Sequence, residues 1–165
     1  GAADDGAGVV VMLEAARANG ADLVLIDTPP AIDHNMVYAA YPASLVVVPT
    51  RIDVLDQHAL RQTLDYLLRL GALWKAIVVI NAPSKDKHAL AETIAIAREF
   101  QVPVLDTVVG DMVELAKALK DGKGITEVRS KSVATRKAQE TMRLVYDQLT
   151  AFELQVARQK HRRIA

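Results

Sequence analysis

The sequence predicts an α/β protein: a doubly wound, mainly parallel sheet with helices on both faces. Short aliphatic runs, "LVLI" at 23–26, "LVVV" at 45–48, "AIVVI" at 76–80 and "VPVLDTVV" at 102–109, alternate with stretches whose apolar residues recur at helical spacing. The first of these runs is apolar on both sides instead of alternating, as a strand covered by helices on both faces requires. The composition agrees, because aromatics make up only 4% of a chain that is 51% hydrophobic, so the core must be packed from Ala, Val, Leu and Ile.

Each element has its own signals. Val9 to Ala18 reads as a helix ending at Asn19-Gly20, residues that favour the left-handed cap. Asp22 to Asp27 reads as a buried strand, and Ile32 to Tyr41 as a short helix closed by Pro42. Leu45 to Val48 is a second strand, ending at Pro49. Asp53 or Asp56 can cap the next helix, in which Leu60, Leu64, Leu67 and Leu68 recur before Gly71 ends it. Ala76 to Ile80 is a third strand ending at Asn81, after which Ser84 caps a helix carrying Leu90, Ile94 and Ala97. Val102 to Val109 is a fourth, less buried strand. Asp111 and Glu114 have capping-box spacing for a helix to Lys120, and "DGKG" is a turn. From Ser132 a long helix carries Ala138, Met142, Val145, Leu149, Phe152 and Val156 at steps of three and four, the stripe of a docked helix.

The 165 residues suffice for one domain with a sizeable core, and there is neither an internal repeat nor a low-complexity linker. Residues 1–20 read as an N-terminal segment and helix with the look of a cut end, 21–150 as the main domain, and 151–165 as a helix end with a basic tail. Formal net charge is zero, so attraction to nucleic acid must come from a local patch. Absent cysteine excludes disulfides and thiolate metal sites, and His34, His58, His88 and His161 lack ligand spacing for zinc. No apolar run approaches a membrane span, and the tail beyond Ala157 has only Ile164 as a large apolar group, which argues against membrane insertion.

In parallel sheets ligands bind at the carboxyl ends of the strands. Three strands end here in distinctive residues: Asp27-Thr28-Pro29-Pro30, Pro49-Thr50-Arg51 and Asn81-Ala82-Pro83. An aspartate fixed at the end of a buried strand can hold magnesium beside nucleotide phosphates, often through a water, and the prolines stiffen the loop that follows. The competing reading is an aspartate that caps a turn. A two-component receiver domain is excluded, because Asp4-Asp5 follow no strand and 138 residues follow Asp27.

Taken in order, "DLVLIDTPP", "ASLVVVPT", "VVINAPS", "VVGDMVELAKALKDGKGITEV" and the helix after "SKSVATRKAQE" resemble the C-terminal two-thirds of a ParA/MinD-type ATPase, a P-loop NTPase-like fold, closest to the plasmid and chromosome partition branch. The resemblance spans Ala21 to Thr150. It implies that Asp27 is the magnesium-linked aspartate of a switch formed with Thr28, Pro29 and Pro30, that Asn81 reads the adenine edge, and that Pro83 packs near the base. It implies ATP or ADP with Mg2+ as cofactor, a homodimer, non-specific DNA binding in a cytoplasmic, nucleoid-associated setting, and a ParB-like partner that stimulates hydrolysis. Lys85, Lys87, Arg129, Lys131, Arg136 and Lys137 are the candidate DNA contacts, set against the plainer reading of solvated charges. Arg158, Lys160, Arg162 and Arg163 add a basic end.

Two departures matter. The family's phosphate-cradling K-G-G-x-G-K-T loop is not in the sequence, and "LKDGKGIT" does not replace it, since Lys117 stands where the upstream glycine should be and Gly124 where the hydroxyl should be. The family's first strands are absent too, and one of them would lie between the Asp22–Asp27 and Leu45–Val48 strands. That gap predicts unpaired backbone, to be resolved by a longer protein, by strand exchange with another copy, or by direct closure of the two strands. A further, milder departure is Gly110-Asp111-Met112 where the family often has an arginine. The alternatives to a partition ATPase are a degenerate, non-catalytic dimerisation module and a MinD-like cargo-positioning ATPase.

Overall fold

The computed structural model describes residues 5–29, 34–81 and 86–164. It is mixed α/β. Helix α1 (Asp5–Ala18) and helix α2 (His34–Ala40) precede strand β1 (Val46–Thr50) and helix α3 (Val54–Arg69). A 3-10 turn (Leu73–Lys75) leads into strand β2 (Ala76–Ile80), followed by helices α4 (Lys87–Glu99) and α5 (Val113–Lys120). A second 3-10 turn (Ile125–Glu127) precedes helix α6 (Val133–Ile164).

Strands β1 and β2 are parallel, with Val46 opposite Ala76 and Thr50 opposite Ile80. All five residues of β2 are buried, and helices cover both of its faces. On one side Val78 and Ala76 pack with Leu60, Leu64 and Leu67 of α3 and Ile96 and Ala97 of α4. On the other, Ile77 and Val79 pack with Leu105, Val109 and Val145 of α6. The predicted stripe of α6 is the docked face: Ala138, Val145 and Val156 are buried, and Met142, Leu149 and Phe152 are half-buried against it. Two helices are tied across their exposed flank by Arg61 of α3, whose guanidinium hydrogen-bonds Glu99 of α4 and holds that carboxyl below its ordinary range.

The turns follow the sequence closely. Gly20, Gly71 and Gly122 all have φ near +70°, where a Cβ is disfavoured (73°, 66° and 66°). Gln101 takes the same left-handed conformation (φ 58°) after α4 without being glycine, and the sequence carries no signal for it.

Several expectations are corrected. Residues 22–29 are not a strand: they make no main-chain ladder with any described residue, and Leu23, Val24 and Leu25 are 59%, 40% and 85% exposed. Aliphatic β-formers become a strand only beside a partner, and the described residues put none on this flank. Nor does the segment close directly on β1. The fourth strand is reduced to two bridges, Val104 to Val78 and Val109 to Asn81. Its ladder breaks at Thr107, whose N–H donates to Gln148 Oε1 of α6 (3.2 Å) while Gln148 Nε2 donates to Thr107 Oγ1 (2.8 Å). A helix side chain thus takes the main-chain N–H that a neighbouring strand would have used. The Asp111–Glu114 box does not form either: Met112 occupies the N-cap of α5 and makes no side-chain cap. Asp53 stands at the N-cap of α3 but pairs loosely with Arg51 (3.7 Å) and makes no cap bond. Asp86 caps α4, accepting from the N–H groups of His88 (2.9 Å) and Ala89 (3.1 Å), whereas Ser84 lies outside the described residues.

Candidate functional site

The carboxyl rim of the sheet is built by hydrogen bonds between strand ends. The Asn81 N–H donates to Thr50 O (2.8 Å), and the Val109 N–H donates to Ile80 O (2.9 Å). These bonds set three stretches side by side: Thr50-Arg51, Asn81 and Val109-Gly110. Thr50 is buried and donates its hydroxyl to Arg51 O (3.0 Å), which stiffens the turn out of β1. Below the turn, Gln57 Nε2 of α3 donates to Ile52 O (3.2 Å) and to Ala89 O of α4 (3.1 Å). It also donates to Thr93 Oγ1 (3.2 Å), a fully buried hydroxyl that itself donates to Ala89 O. The rim therefore rests on a cross-linked pair of helices. Asn81 itself is exposed, so its amide is accessible from solvent.

The predicted site is only partly assembled. Asn81 and the Pro49-Thr50-Arg51 corner do meet. Asp27, Thr28 and Pro29 are exposed on the unpaired segment, with no main-chain bond tying them to the rim among the described residues. Pro30, Pro83 and Lys85 lie outside the described residues. Val109-Gly110 takes the third place on the rim instead; the end of the 102–109 run was the signal for it. No group of three or more His, Asp or Glu among the described residues could hold a metal ion. Tested against a magnesium nucleotide, these residues offer one exposed amide and one exposed carboxylate but no glycine-rich cradle for phosphates. They do not by themselves fit the group, and no catalytic step is routed through it.

The candidate basic residues have a clearer setting. Ala118 of α5, Ile125 and Ala138 of α6 form a small buried cluster with Met112, Leu115, Val128 and Met142 packed against it. Gln139 of α6 ties the intervening loop down by donating to Ile125 O (3.0 Å) and Val128 O (2.8 Å). Ser132 caps α6, accepting from the Thr135 N–H (3.0 Å). Arg129, Lys131, Arg136 and Lys137 are all exposed on this corner and have no ion-pair partner among the described residues. Lys117, Lys120 and Lys123, missed by the sequence reading, are exposed on the same unit, so residues 117–137 carry seven basic groups against two acidic ones, Asp121 and Glu127. Lys87 is exposed at the start of α4.

Lys75 was also missed. It is 7% exposed, and its Nζ donates to Ala43 O (2.8 Å) and Tyr41 O (3.1 Å), bracing the corner that feeds β1. Burial, and secondarily the nearby Lys160, push its pKa below the ordinary lysine value.

Between α1, residues 21–24 and Pro42 lies an open cleft of about 490 Å³, whose lining mixes Val10, Leu13, Val24 and Pro42 with the charged Glu14, Arg17 and Asp22. No helix among the described residues is long and apolar enough to cross a membrane. No protein-family model matches the chain, and no curated protein matches its sequence.

Proposed function

We propose that this chain belongs to a ParA-type partition ATPase, an ATP-driven dimerisation and non-specific DNA-binding switch that acts in plasmid or chromosome partition with a ParB-like partner in the cytoplasm. The observation that carries the reading is the rim. Parallel strands β1 and β2 end side by side, and Asn81 is presented there with an amide that offers both a donor and an acceptor to a base edge. The motif order read from the sequence supports the same assignment, and so does the exposed basic corner at 117–137, which suits backbone contact with duplex DNA. The phosphates and Mg2+ of the nucleotide need donors beyond the described residues.

The test is equilibrium binding of the chain to random-sequence duplex DNA over a salt series. The reading expects binding that weakens steeply with salt and that charge reversal at Arg136 and Lys137 weakens equally for every sequence. Salt-insensitive binding, or none, overturns it.

A second reading is a binding module without catalysis. The solvent-exposed, unpaired segment carrying Asp27 favours it, because a carboxylate that no strand fixes cannot be pre-organised beside a phosphate. Titration calorimetry with Mg-ATP separates the two, since a module of this kind takes up no nucleotide. The MinD-like alternative predicts lipid-vesicle binding in place of DNA binding.

A further inference from the structure

The basic corner at 117–137 carries a feature that contact with phosphates leaves unused. Val113 and Leu119 of α5 and Val133 of α6 are 59%, 76% and 73% exposed. Each has an exposed cation four residues further along: Lys117, Lys123 and Lys137. In α5, Val113, Ala116, Lys117 and Lys120 are all exposed and recur at i, i+3, i+4 and i+7, so they share one outer face. In α6, Val133, Arg136 and Lys137 repeat the pattern at i, i+3 and i+4, before Glu140 ends the basic stretch. The acidic Glu114 is half-buried and lies one turn before Ala118, on the inner face of α5. Both helices meet on the buried cluster of Ala118, Ile125 and Ala138, which holds them in one unit.

We propose that this corner docks an acidic amphipathic segment of a partner protein, whose carboxylates meet the lysines and arginines while its apolar side chains cover Val113, Leu119 and Val133. Charge complementarity argues for an acidic occupant, since seven basic groups stand against Asp121 and Glu127. The aliphatic groups argue for a peptide. A sugar-phosphate backbone gains nothing from an exposed valine or leucine, and residues 113–137 include no aromatic side chain on which a base could stack. A lipid surface takes up a helix with a spare apolar stripe, whereas Leu115, Ala118, Ala138 and Met142 are spent on packing α5 against α6. A peptide needs only single apolar anchors beside charges, which is what the two helices offer. The inference does not rest on the nucleotide reading, since no phosphate or metal enters this surface.

The test is fluorescence anisotropy of the 165-residue chain with two labelled peptides of equal charge, one of Glu and Leu with the leucines at helical spacing, the other with every Leu replaced by Ser. The Glu/Leu peptide should bind at least about tenfold more tightly than the Glu/Ser peptide. Leu119→Ser, at an exposed position, should remove most of that difference while leaving Glu/Ser binding and the circular dichroism unchanged. Charge reversal at Lys117 and Lys120 should slow association of both peptides and flatten the salt dependence. Equal affinity for the two peptides overturns the proposal, as does a preference that Leu119→Ser leaves intact. Binding to vesicles of phosphatidylglycerol and phosphatidylcholine, or to duplex DNA, with no binding of the Glu/Leu peptide likewise overturns it.

Discussion

Replacing Lys75 by methionine tests how the corner before β1 is held. The side chain is 7% exposed, and its ammonium donates to Ala43 O at 2.8 Å and Tyr41 O at 3.1 Å. Removing the donor leaves two carbonyls to find new partners, at about 1–3 kcal/mol each when the group stays dry. Tyr41 is 85% exposed, so water replaces the lost bond there, whereas Ala43 is half-buried and bears most of the loss. Against this, methionine relieves the desolvation of the ammonium, which offsets part of that loss. The balance is a net loss of about 1–2 kcal/mol, or roughly 2–8 °C in Tm for a chain of this size. The pH dependence gives an independent reading. The folded-state pKa of Lys75 lies below the ordinary 10.5, so between the two values the unfolded chain binds the proton and the folded chain does not. Stability from this group therefore rises with pH through that window. Urea titrations of both proteins from neutral pH to about pH 10.5 should show wild type gaining on Lys75→Met as pH rises. A Lys75→Met protein that matches wild type in stability and in pH profile would refute the bracing role.

Three other outcomes follow from single contacts. Leu64→Ala, at a fully buried position of α3, should cost about 3–4 kcal/mol, read as a fall in urea midpoint at unchanged slope. Asp86→Ala should cost about 1 kcal/mol by removing the cap on the His88 and Ala89 N–H groups, and Asp86→Asn should restore most of it. Gln139→Ala should cost about 1–2 kcal/mol and raise amide exchange at Ile125–Val128 well before the α3–β2 core opens, since its amide holds two carbonyls of that loop.

What the sequence conveyed well was local. Glycines at 20, 71 and 122 end their helices with positive φ, and the α6 stripe packs as its spacing predicts, because both signals act within a few residues of chain. What it conveyed poorly depended on distant partners. The run at 23–26 has every intrinsic feature of a strand, yet strand formation is a property of pairs, and no ladder forms among the described residues. The 102–109 run failed differently: Gln148, about forty residues on, captures Thr107 and divides the ladder into two bridges. Capping was misplaced by one or two residues, at Asp86 for Ser84 and at Met112 for Asp111, because only the final turn geometry selects the residue that stands at each helix start. The rim was legible because parallel strands of matched length must end together, and so Thr50 and Asn81 meet. Lys75 left no trace in the sequence, since a lysine's burial depends on which carbonyls happen to face it.

The missing ladder and the incomplete site are one physical fact seen twice. A carboxylate directs chemistry only where its main chain is fixed, and Asp27 closes the same short run that lacks a partner. Fixing that main chain and completing the rim therefore need the same thing, a strand partner for residues 23–26, so whatever pairs with the run also decides whether the Asp27 carboxylate is held in place.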